Sequence, residues 1–248
     1  MLYKNLIYKN LGLQDYLITL KKMQEFTQAR NNQTPDELWI TEHPSVFTLG
    51  KHADPSHLLI HPSNTSIPII NTDRGGEITY HGPGQLILYF LLDLKRTKMG
   101  PKELVCLIES SVINFLDKFF NIKAIRKPKA PGIYVLDKKL DKKIASLGLK
   151  ITRGCSYHGL SLNINMDLNF FKLINPCGYK NLEMTQVIDL MDTSPLCPSV
   201  SPSGLSLPQG ERRDQIIPSL LTLSELGILL AQEFALLWES RSSKSAAC

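Results

Sequence analysis

The sequence contains many short apolar segments, rich in β-branched and aromatic residues, and Gly or Pro separates several of them. The segments are ELWIT (37–41), VFTLG (46–50), IPII (67–70), EITYH (77–81), QLILYFLLDL (85–94), GIYVLD (132–137), KKIASLGLKI (142–151) and SYHGLSLNINMD (156–167). Segments of this kind predict β-strands. Strict alternation of strand and helix is absent, so we predict an α/β (α+β) fold in which a mixed β-sheet is flanked by helices. A doubly wound nucleotide-binding fold is not expected.

Three other segments carry the signals of helices. In residues 13–26, apolar side chains recur every three or four positions, which predicts an amphipathic helix. A second helix is predicted for residues 101–120, because a proline stands in its first turn and apolar residues are spaced for one buried face. A third is predicted for residues 222–240, where Thr222 and Glu225 are spaced as a capping box.

The stretch at residues 192–218 differs from the rest of the chain. Pro, Ser and Gly dominate it and no apolar period remains, which is typical of a loose insertion or linker. We therefore expect a main domain over residues 1–191, and a C-terminal helix and tail over residues 219–248 that pack on it.

Composition narrows the class of protein. No stretch approaches the roughly 20 uninterrupted apolar residues that span a bilayer, and the N-terminus lacks a secretory signal, so a cytoplasmic protein is expected. The five cysteines are irregularly spaced without a CxxC pair, which favours free thiols. The net charge of +5 comes from 28 basic and 23 acidic residues. A surplus this small favours acidic partners without requiring a nucleic acid. Basic residues gather in residues 123–150, and this patch could face DNA, RNA or an acidic carrier protein, since charge alone does not choose between them.

The segment RGGEITYHGPGQ, residues 74–85, is the first that combines reactive side chains with glycine. Its paired glycines allow a close approach of the backbone to a ligand, Arg74 adds a charge, and His81 is expected at a strand end before a tight turn. The alternative interpretation is a Gly-rich hairpin with a hydrogen-bonded histidine.

A lysine and a cysteine stand in two further segments of this kind. Lys143 has apolar neighbours in KKIASLGLKI; most lysines are surface charges, but a partly buried one can hold a thiolate and act as a base once neutral. Cys177 lies between Pro and Gly in INPCGY, which predicts a turn that exposes the thiol as a nucleophile, although a structural cysteine stays an alternative. Cys155 is the rival nucleophile, or else a small packing residue.

The histidines at positions 43, 52, 57 and 61 raise the question of a metal site. His57 and His61 are four residues apart, but Pro55 and Pro62 oppose a helix there and no HExxH motif is present. We expect no metal. The absence of a GxSxG motif also gives no support to a serine hydrolase.

Taken together, the motifs RGGxxTYHGPGQ, KIAxxG, HGxxLN and NPCGY resemble those of the lipoyl(octanoyl) transferase family, in the same order and at similar spacings. The resemblance covers roughly residues 37–187 and includes EHPSVFTLG at 42–50 and TQ at 185–186. It implies a fold similar to the catalytic domain of biotin and lipoate protein ligases. Two departures are Asp141, where the family commonly has Gly, and the stretch after residue 192.

The resemblance also implies roles for particular residues. Cys177 would be the nucleophile that carries the acyl group as a thioester, and Lys143 the partner that lowers its pKa. The acyl site would be lined by Arg74, Gly75, Gly76, Glu77, Ile78, Thr79, Tyr80, His81, Ser146, Leu147, Gly148, Gly159, Leu160 and Ser161. Further candidates for the same pocket are Tyr16, His43, Tyr89 and His158.

The function that the resemblance implies is transfer of an octanoyl group from octanoyl-acyl carrier protein to a lysine of a lipoyl domain. Expected acceptors are the lipoyl domains of 2-oxoacid dehydrogenases and the glycine cleavage H protein, with no cofactor, nucleic acid or membrane involved. An ATP-dependent lipoate or biotin protein ligase is one alternative, although an adenylate mechanism has no use for the cysteine of NPCGY. A non-catalytic module that binds an acyl carrier is another, and a nucleic-acid binder is a third.

Overall fold

The computed structural model describes residues 6–128, 130–137, 140–191 and 221–240. The strands are β1 (Leu6–Leu13), β2 (Asp36–Glu42), β3 (Val46–Leu49), β4 (Ile69–Asn71), β5 (Ile78–His81), β6 (Gln85–Leu91), β7 (Ala124–Lys127), β8 (Ala130–Asp137), β9 (Leu140–Thr152) and β10 (Cys155–Asn163). The α-helices are α1 (Tyr16–Ala29), α2 (Leu94–Thr97), α3 (Pro101–Phe120), α4 (Val187–Leu190) and α5 (Leu223–Ser240). The predicted insertion at residues 192–218 lies outside the described residues.

The strands form two sheets. Seven strands are arranged in the order β1-β2-β6-β10-β9-β8-β7, and three in the order β4-β3-β5. Only β1–β2 and β3–β4 pair in parallel among these strands, and the other pairs are antiparallel. The predicted mixed β-sheet is therefore confirmed.

The two sheets are joined at the turn formed by residues 82–84. The Gln85 N–H donates to the Gly82 carbonyl at 3.2 Å, so the predicted tight turn is present. The strands on either side do not pair with each other, because β5 pairs with β3 while β6 pairs with β2 and β10. The interpretation of this segment as a hairpin is therefore wrong. Gly84 has a φ of +84° and a Cβ there would lie 1.8 Å from the Asn165 carbonyl oxygen.

Helices cover both faces of the large sheet. On one face, α5 packs on alternate residues of β6, namely Leu86, Leu88 and Phe90, and α3 packs against α5, β7 and β8. On the other, α1 packs on Ile87 and Tyr89 of the same strand. Burial on both faces explains why QLILYFLL is apolar throughout instead of alternating. None of the helices that the structure describes could cross a bilayer, given their lengths and hydropathy.

The three predicted helices are present. The first begins at Tyr16, where Asp15 caps it by accepting the Ile18 N–H at 3.0 Å, and the predicted start at Leu13 is wrong because Leu13 ends β1. Residues 101–120 form α3 as predicted. The predicted capping box of α5 is formed, since the Glu225 N–H donates to Thr222 Oγ1 at 3.2 Å and the Thr222 N–H to the Glu225 carboxylate at 2.6 Å.

Candidate active site

Cys177 lies in a short 3-10 helix, Pro176–Gly178, as the predicted turn requires. Its φ of +57° is in the left-handed region, where a residue with a side chain is strained by about 1–2 kcal/mol. Asn175, the residue before this 3-10 helix, donates its N–H to the His57 carbonyl at 2.8 Å, so a neighbouring loop fixes this turn. The thiol is free and half-buried.

Lys143 of β9 brings its amine to that thiol. The side chain is buried, with 1% of the residue exposed, and Nζ lies 3.0 Å from Cys177 Sγ. Nζ also donates to the Pro131 carbonyl at 2.8 Å and lies 5.3 Å from the centroid of the Tyr134 ring. The structure thus brings together the two residues singled out as nucleophile and charge partner, although they are 34 positions apart in the sequence.

The ionisation of Lys143 depends on its neighbours. Burial alone would lower the pKa of this amine, but the hydrogen-bonded Cys177 and the nearby Tyr134 outweigh burial and raise it. The arrangement therefore favours the ammonium form of Lys143 beside the sulfur of Cys177.

The backbone around Lys143 fixes where its side chain starts. Its N–H donates to the Glu183 carbonyl at 2.8 Å, and its own carbonyl accepts from the Thr185 N–H at 2.9 Å. At Gly132 on β8, φ is +122° and a Cβ would lie 2.5 Å from Lys143 Cε. A glycine is needed there because no other residue would leave room for the lysine.

A cavity of about 220 Å³ opens beside this pair. Of the predicted site residues, those that line it are Tyr16, Arg74, Gly76, Glu77, Ile78, Thr79, His81, Tyr89, Lys143, Ser146, Leu147, Gly148, His158, Gly159, Leu160, Ser161 and Cys177. Its volume is below the roughly 300–1,000 Å³ of pockets that hold drug-sized ligands, so it suits a smaller group.

Three predicted site residues lie outside this lining. Gly75 donates its N–H to the Leu149 carbonyl at 2.9 Å and so holds the Gly-rich segment against β9. Tyr80 stacks on Phe170 with ring centroids 4.9 Å apart, in a separate apolar cluster. The His43 ring hydrogen-bonds to the Tyr89 hydroxyl at 2.7 Å and therefore supports a lining residue from behind.

Arg74 carries a buried positive charge into the cavity. Its guanidinium donates to the Thr48 carbonyl at 2.7 Å and to the Gly75 carbonyl at 3.0 Å. Burial lowers the pKa of Arg74, while negative charge on Tyr16 and on Cys177 opposes that change. An arginine stays protonated in proteins, so a second cation faces the thiol.

The tautomer of His81 is fixed by a chain of hydrogen bonds. The Asn163 amide N–H donates to the Thr185 carbonyl at 2.9 Å, and its oxygen accepts from the Gln85 amide at 2.9 Å. The Gln85 oxygen then lies 2.7 Å from His81 Nδ1. Because the Thr185 carbonyl can only accept, each amide has one orientation, and Nδ1 of His81 carries the proton. Its Nε2 is left as an acceptor.

A second histidine of the cavity is held by Asp73. His158 Nε2 lies 2.8 Å from Asp73 Oδ1, and the Tyr157 hydroxyl donates to the same carboxylate. Burial lowers the pKa of His158 even though Asp73 opposes it. Burial acts to raise the pKa of Asp73, but hydrogen bonds from His158 and Tyr157 bring it well below its usual range. Asp73 is thus an anion that orients a neutral imidazole.

Acidification is expected to destabilise the fold through His81. Burial and the charges of His43 and Arg74 lower its pKa to about 3, whereas an exposed histidine titrates near 6.5. Between these values the unfolded chain binds more protons, so the free energy of unfolding falls as the pH drops. From pH 7 to pH 5 the loss due to His81 is about 2 kcal/mol.

Urea denaturation at both pH values tests this expectation. The difference in unfolding free energy between the two should shrink by about that amount in His81→Asn. His52 is exposed, so His52→Asn serves as the matched control and should leave the difference unchanged. An equal difference in wild type and His81→Asn would contradict the assignment.

Several functional positions were missed by sequence reasoning. Ile87, Ala130, Pro131 and Tyr179 also line the cavity. Tyr179 is the last residue of the NPCGY motif and Asp73 directly precedes RGG, so their place in or beside a motif was the available signal. Pro131 contributes a backbone carbonyl, which no residue type reveals.

The remaining reactive candidates are not among the residues that line the cavity. Cys155 is buried at the start of β10, and burial raises the pKa of its thiol. His57 ends the 3-10 helix Pro55–His57, while His61 caps the next one, Pro62–Asn64. Within the described ranges, no three His, Cys, Asp or Glu side chains are grouped closely enough to hold a metal ion.

Similarity to known proteins identifies first the fold and then the family of this chain. A lipoate protein ligase from Thermoplasma acidophilum has a similar structure, with a TM-score of 0.66 and 13% sequence identity over 96% of this chain and 85% of that one. This likeness confirms the predicted relation to the lipoate ligase fold. Residues 7–201 match the lipoyl protein ligase A/B catalytic domain, and the chain belongs to that family.

Relatives within the family are much more similar in sequence. An octanoyltransferase of Francisella tularensis subsp. tularensis is 52% identical over 183 residues, which is 74% of this chain and 85% of the relative. An octanoyltransferase of Vibrio vulnificus is 52% identical over 185 residues, which is 75% of this chain and 81% of the relative.

Proposed function

We propose that this protein transfers an octanoyl group from octanoyl-acyl carrier protein to a lysine of a lipoyl domain, through a thioester on Cys177. The observation that carries the proposal is the 3.0 Å separation between Cys177 Sγ and the buried Nζ of Lys143. Relatives that are 52% identical and named octanoyltransferases support octanoyl as the group transferred. The acceptors would be lipoyl domains of 2-oxoacid dehydrogenases and the glycine cleavage H protein.

In the first step, the ammonium of Lys143 stabilises the Cys177 thiolate, which attacks the carbonyl carbon of the carrier's thioester. The bond between that carbon and the carrier's sulfur breaks. The departing thiolate takes a proton from Lys143, so the products are the octanoyl thioester on Cys177, a free carrier thiol and a neutral lysine. One thioester replaces another, so no ATP is consumed.

In the second step, the neutral Lys143 amine acts as the base. The amine of the acceptor lysine attacks the thioester carbonyl and loses a proton to Lys143, the bond to Cys177 Sγ breaks, and an amide forms. The thiolate and the ammonium of the resting pair are restored together.

The surroundings of Lys143 support this change of role. While Cys177 is a thiolate, its charge counteracts burial and keeps the pKa of Lys143 high. Acylation removes that charge, whereas burial remains and lowers the pKa of the amine. The lysine therefore becomes a better base at the moment when the second step needs one.

The cavity is suited to an uncharged acyl chain. Leu147, Leu160 and Ile78 contribute apolar surface, and its two histidines have pKa values lowered by burial, so both are neutral near pH 7. An aliphatic chain gains free energy on entering such a site. We also propose that residues 1–191 form the catalytic domain with the C-terminal segment 219–248 packed on it, which the contacts of α5 with α3 support.

An ATP-dependent ligase is the rival function within the same fold. Adenylate chemistry would leave the free thiol of Cys177 without a role. A module that only binds acyl carriers would have no need of a buried amine beside a free thiol. We place the protein in the cytoplasm, where a reducing environment keeps such a thiol free.

The test is to mix the purified protein with octanoyl-loaded acyl carrier protein in the absence of ATP and measure its intact mass. We expect one octanoyl group on the enzyme, labile to hydroxylamine and mapped to the peptide that holds Cys177. Addition of a lipoyl domain should move the group to a lysine of that domain. Labelling that requires free octanoate and ATP would indicate a ligase, and carrier binding without transfer would indicate a binding module.

A further inference from the structure

Glu109 is a carboxylate buried within α3, where its neighbours Ile108 and Val112 belong to the main apolar core. Only 8% of the residue is exposed, and it is not among the residues that line the cavity. Burying a charge in a core costs free energy unless partners compensate. Its partners therefore indicate what the carboxylate does.

Glu109 has two partners, one on each oxygen. Oε1 accepts the N–H of Gly132 at 2.9 Å, and Oε2 lies 3.5 Å from Nε of Arg126. The arginine on β7 thus brings a positive charge next to the buried carboxylate. The bond to Gly132 connects it to the strand that passes Lys143.

The Gly132 N–H belongs to the same peptide group as the Pro131 carbonyl, which accepts from Lys143 Nζ at 2.8 Å. The described residues contain no cis peptide bonds, so this N–H and this C=O point in opposite directions. One planar peptide thus joins the carboxylate of Glu109 to the ammonium of Lys143. Its dipole is aligned favourably with both charges, since the N–H faces the anion and the oxygen faces the cation.

We propose that Glu109 is a positioning residue for Lys143, acting through the peptide group between Pro131 and Gly132. Its hydrogen bond to the Gly132 N–H fixes the plane of that peptide, and hence the position of the Pro131 carbonyl to which the Lys143 ammonium donates. Its negative charge stabilises the ammonium through the aligned dipole. The inference rests on the proposed function, because it assigns a support to the lysine of the same site.

The groups that face Lys143 come from several elements. The Sγ of Cys177, in the 3-10 helix Pro176–Gly178, lies 3.0 Å from Lys143 Nζ. The centroid of the Tyr134 ring, on β8, lies 5.3 Å from the same nitrogen. A second cation, the Nζ of Lys127, lies 4.8 Å from the centroid of the same ring and 2.7 Å from the carboxylate of Asp141. Asp141 is the residue found where the family commonly has Gly. Arg74 lines the same cavity as Cys177.

Once Cys177 is acylated, the thiolate no longer favours the ammonium. Among the groups named above, Glu109 is then the anion connected to Lys143 by continuous hydrogen bonds. Removing its charge should therefore lower the pKa of Lys143 and shift the lysine toward the neutral amine. A purely structural glutamate would lower the stability of the fold without this titration shift.

The titration of Lys143 can be followed by NMR of the ε-carbon of labelled lysine. Cys177→Ser is used as background, because it removes the thiolate, and the Lys143 signal is assigned by its loss in Lys143→Arg. We expect the midpoint to fall when Glu109→Gln is added. Glu233 supplies the matched control: it is a buried carboxylate on α5 that pairs with Lys118 at 2.5 Å, and Glu233→Gln should leave the midpoint unchanged.

A midpoint that stays the same in Glu109→Gln, or that falls equally in Glu233→Gln, would overturn the inference. Kinetics supply a second measurement in the Cys177 enzyme. Glu109→Ala should slow octanoyl transfer on the order of 10- to 100-fold by displacing the lysine, and Glu109→Gln, which keeps an acceptor for Gly132, should be affected less. Equal rates in wild type and Glu109→Ala would also overturn it.

The two proposals fail in distinguishable ways. If the wild type acquires no octanoyl group from the carrier, the proposed function fails whatever the titration gives. If the wild type is acylated and the titration midpoint of Lys143 is unchanged by Glu109→Gln, only the proposed role of Glu109 fails.

Discussion

Replacing Cys177 with serine is expected to abolish the octanoyl thioester and to slow octanoyl transfer by a factor on the order of 10⁴ or more. The reason is the nucleophile itself: a serine hydroxyl stays protonated beside an ammonium that can hold a thiolate at 3.0 Å. The turn should survive the change, because the left-handed backbone at this position does not depend on sulfur. Single-turnover transfer and intact mass measure the loss.

Cys155→Ser is the matched control for that experiment. Its thiol is buried at the start of β10 with a pKa raised by burial, so it is a poor nucleophile and its loss should leave transfer near the wild-type rate. A hydroxylamine-labile octanoyl group on Cys177→Ser, or its loss in Cys155→Ser, would reverse the assignment of the nucleophile.

The buried part of the sheet could be predicted from the sequence, and its edges could not. β6 is a long apolar run because both of its faces are covered, and β2 and β10, which are also buried, contain shorter apolar and aromatic segments that mark them as strands. β1 and β7 form the two edges of the large sheet and are mostly exposed, so their sequences LIYKNLGL and AIRK carry no clear apolar period.

The pairing of strands is a second feature that could not be predicted from the sequence. The turn at residues 82–84 could be predicted because Gly and Pro act locally, but the choice of partner for β5 depends on β3, which lies more than 30 positions earlier. Local residue types do not carry that information. The same limit hides the contact of Asn175 with His57, which fixes the turn of the nucleophile.

Within the site, motifs identified the reactive groups and missed their supports. Cys177 and Lys143 stand out because a cysteine between Pro and Gly and a lysine among apolar residues are both unusual. Glu109 lies in an ordinary helical sequence, and Pro131 acts through a carbonyl that every residue possesses. Such supports become visible only when hydrogen bonds can be followed in three dimensions.

Lys143→Met is expected to slow the acylation of Cys177 by about 10²- to 10⁴-fold. Methionine keeps the length of the side chain but lacks the charge that holds the thiolate and the proton that the leaving thiol needs. Alkylation of Cys177 by iodoacetamide at pH 7 should slow as well, because less thiolate is present. Without the ammonium, Cys177 can take up a proton and become a neutral thiol, so no buried charge is left unpaired and unfolding should not account for the loss.

Lys142→Met is the matched control, since it removes the same charge one position earlier. The Lys142 side chain points elsewhere and pairs with Glu183 at 3.3 Å, so acylation and alkylation should both stay close to wild type. The comparison separates the general positive charge of this surface from the one ammonium that contacts the thiol. Equal losses in the two variants would mean that the charge acts through recruitment of an acidic carrier, and Lys143 would then lose its role as the proton donor and acceptor of the reaction.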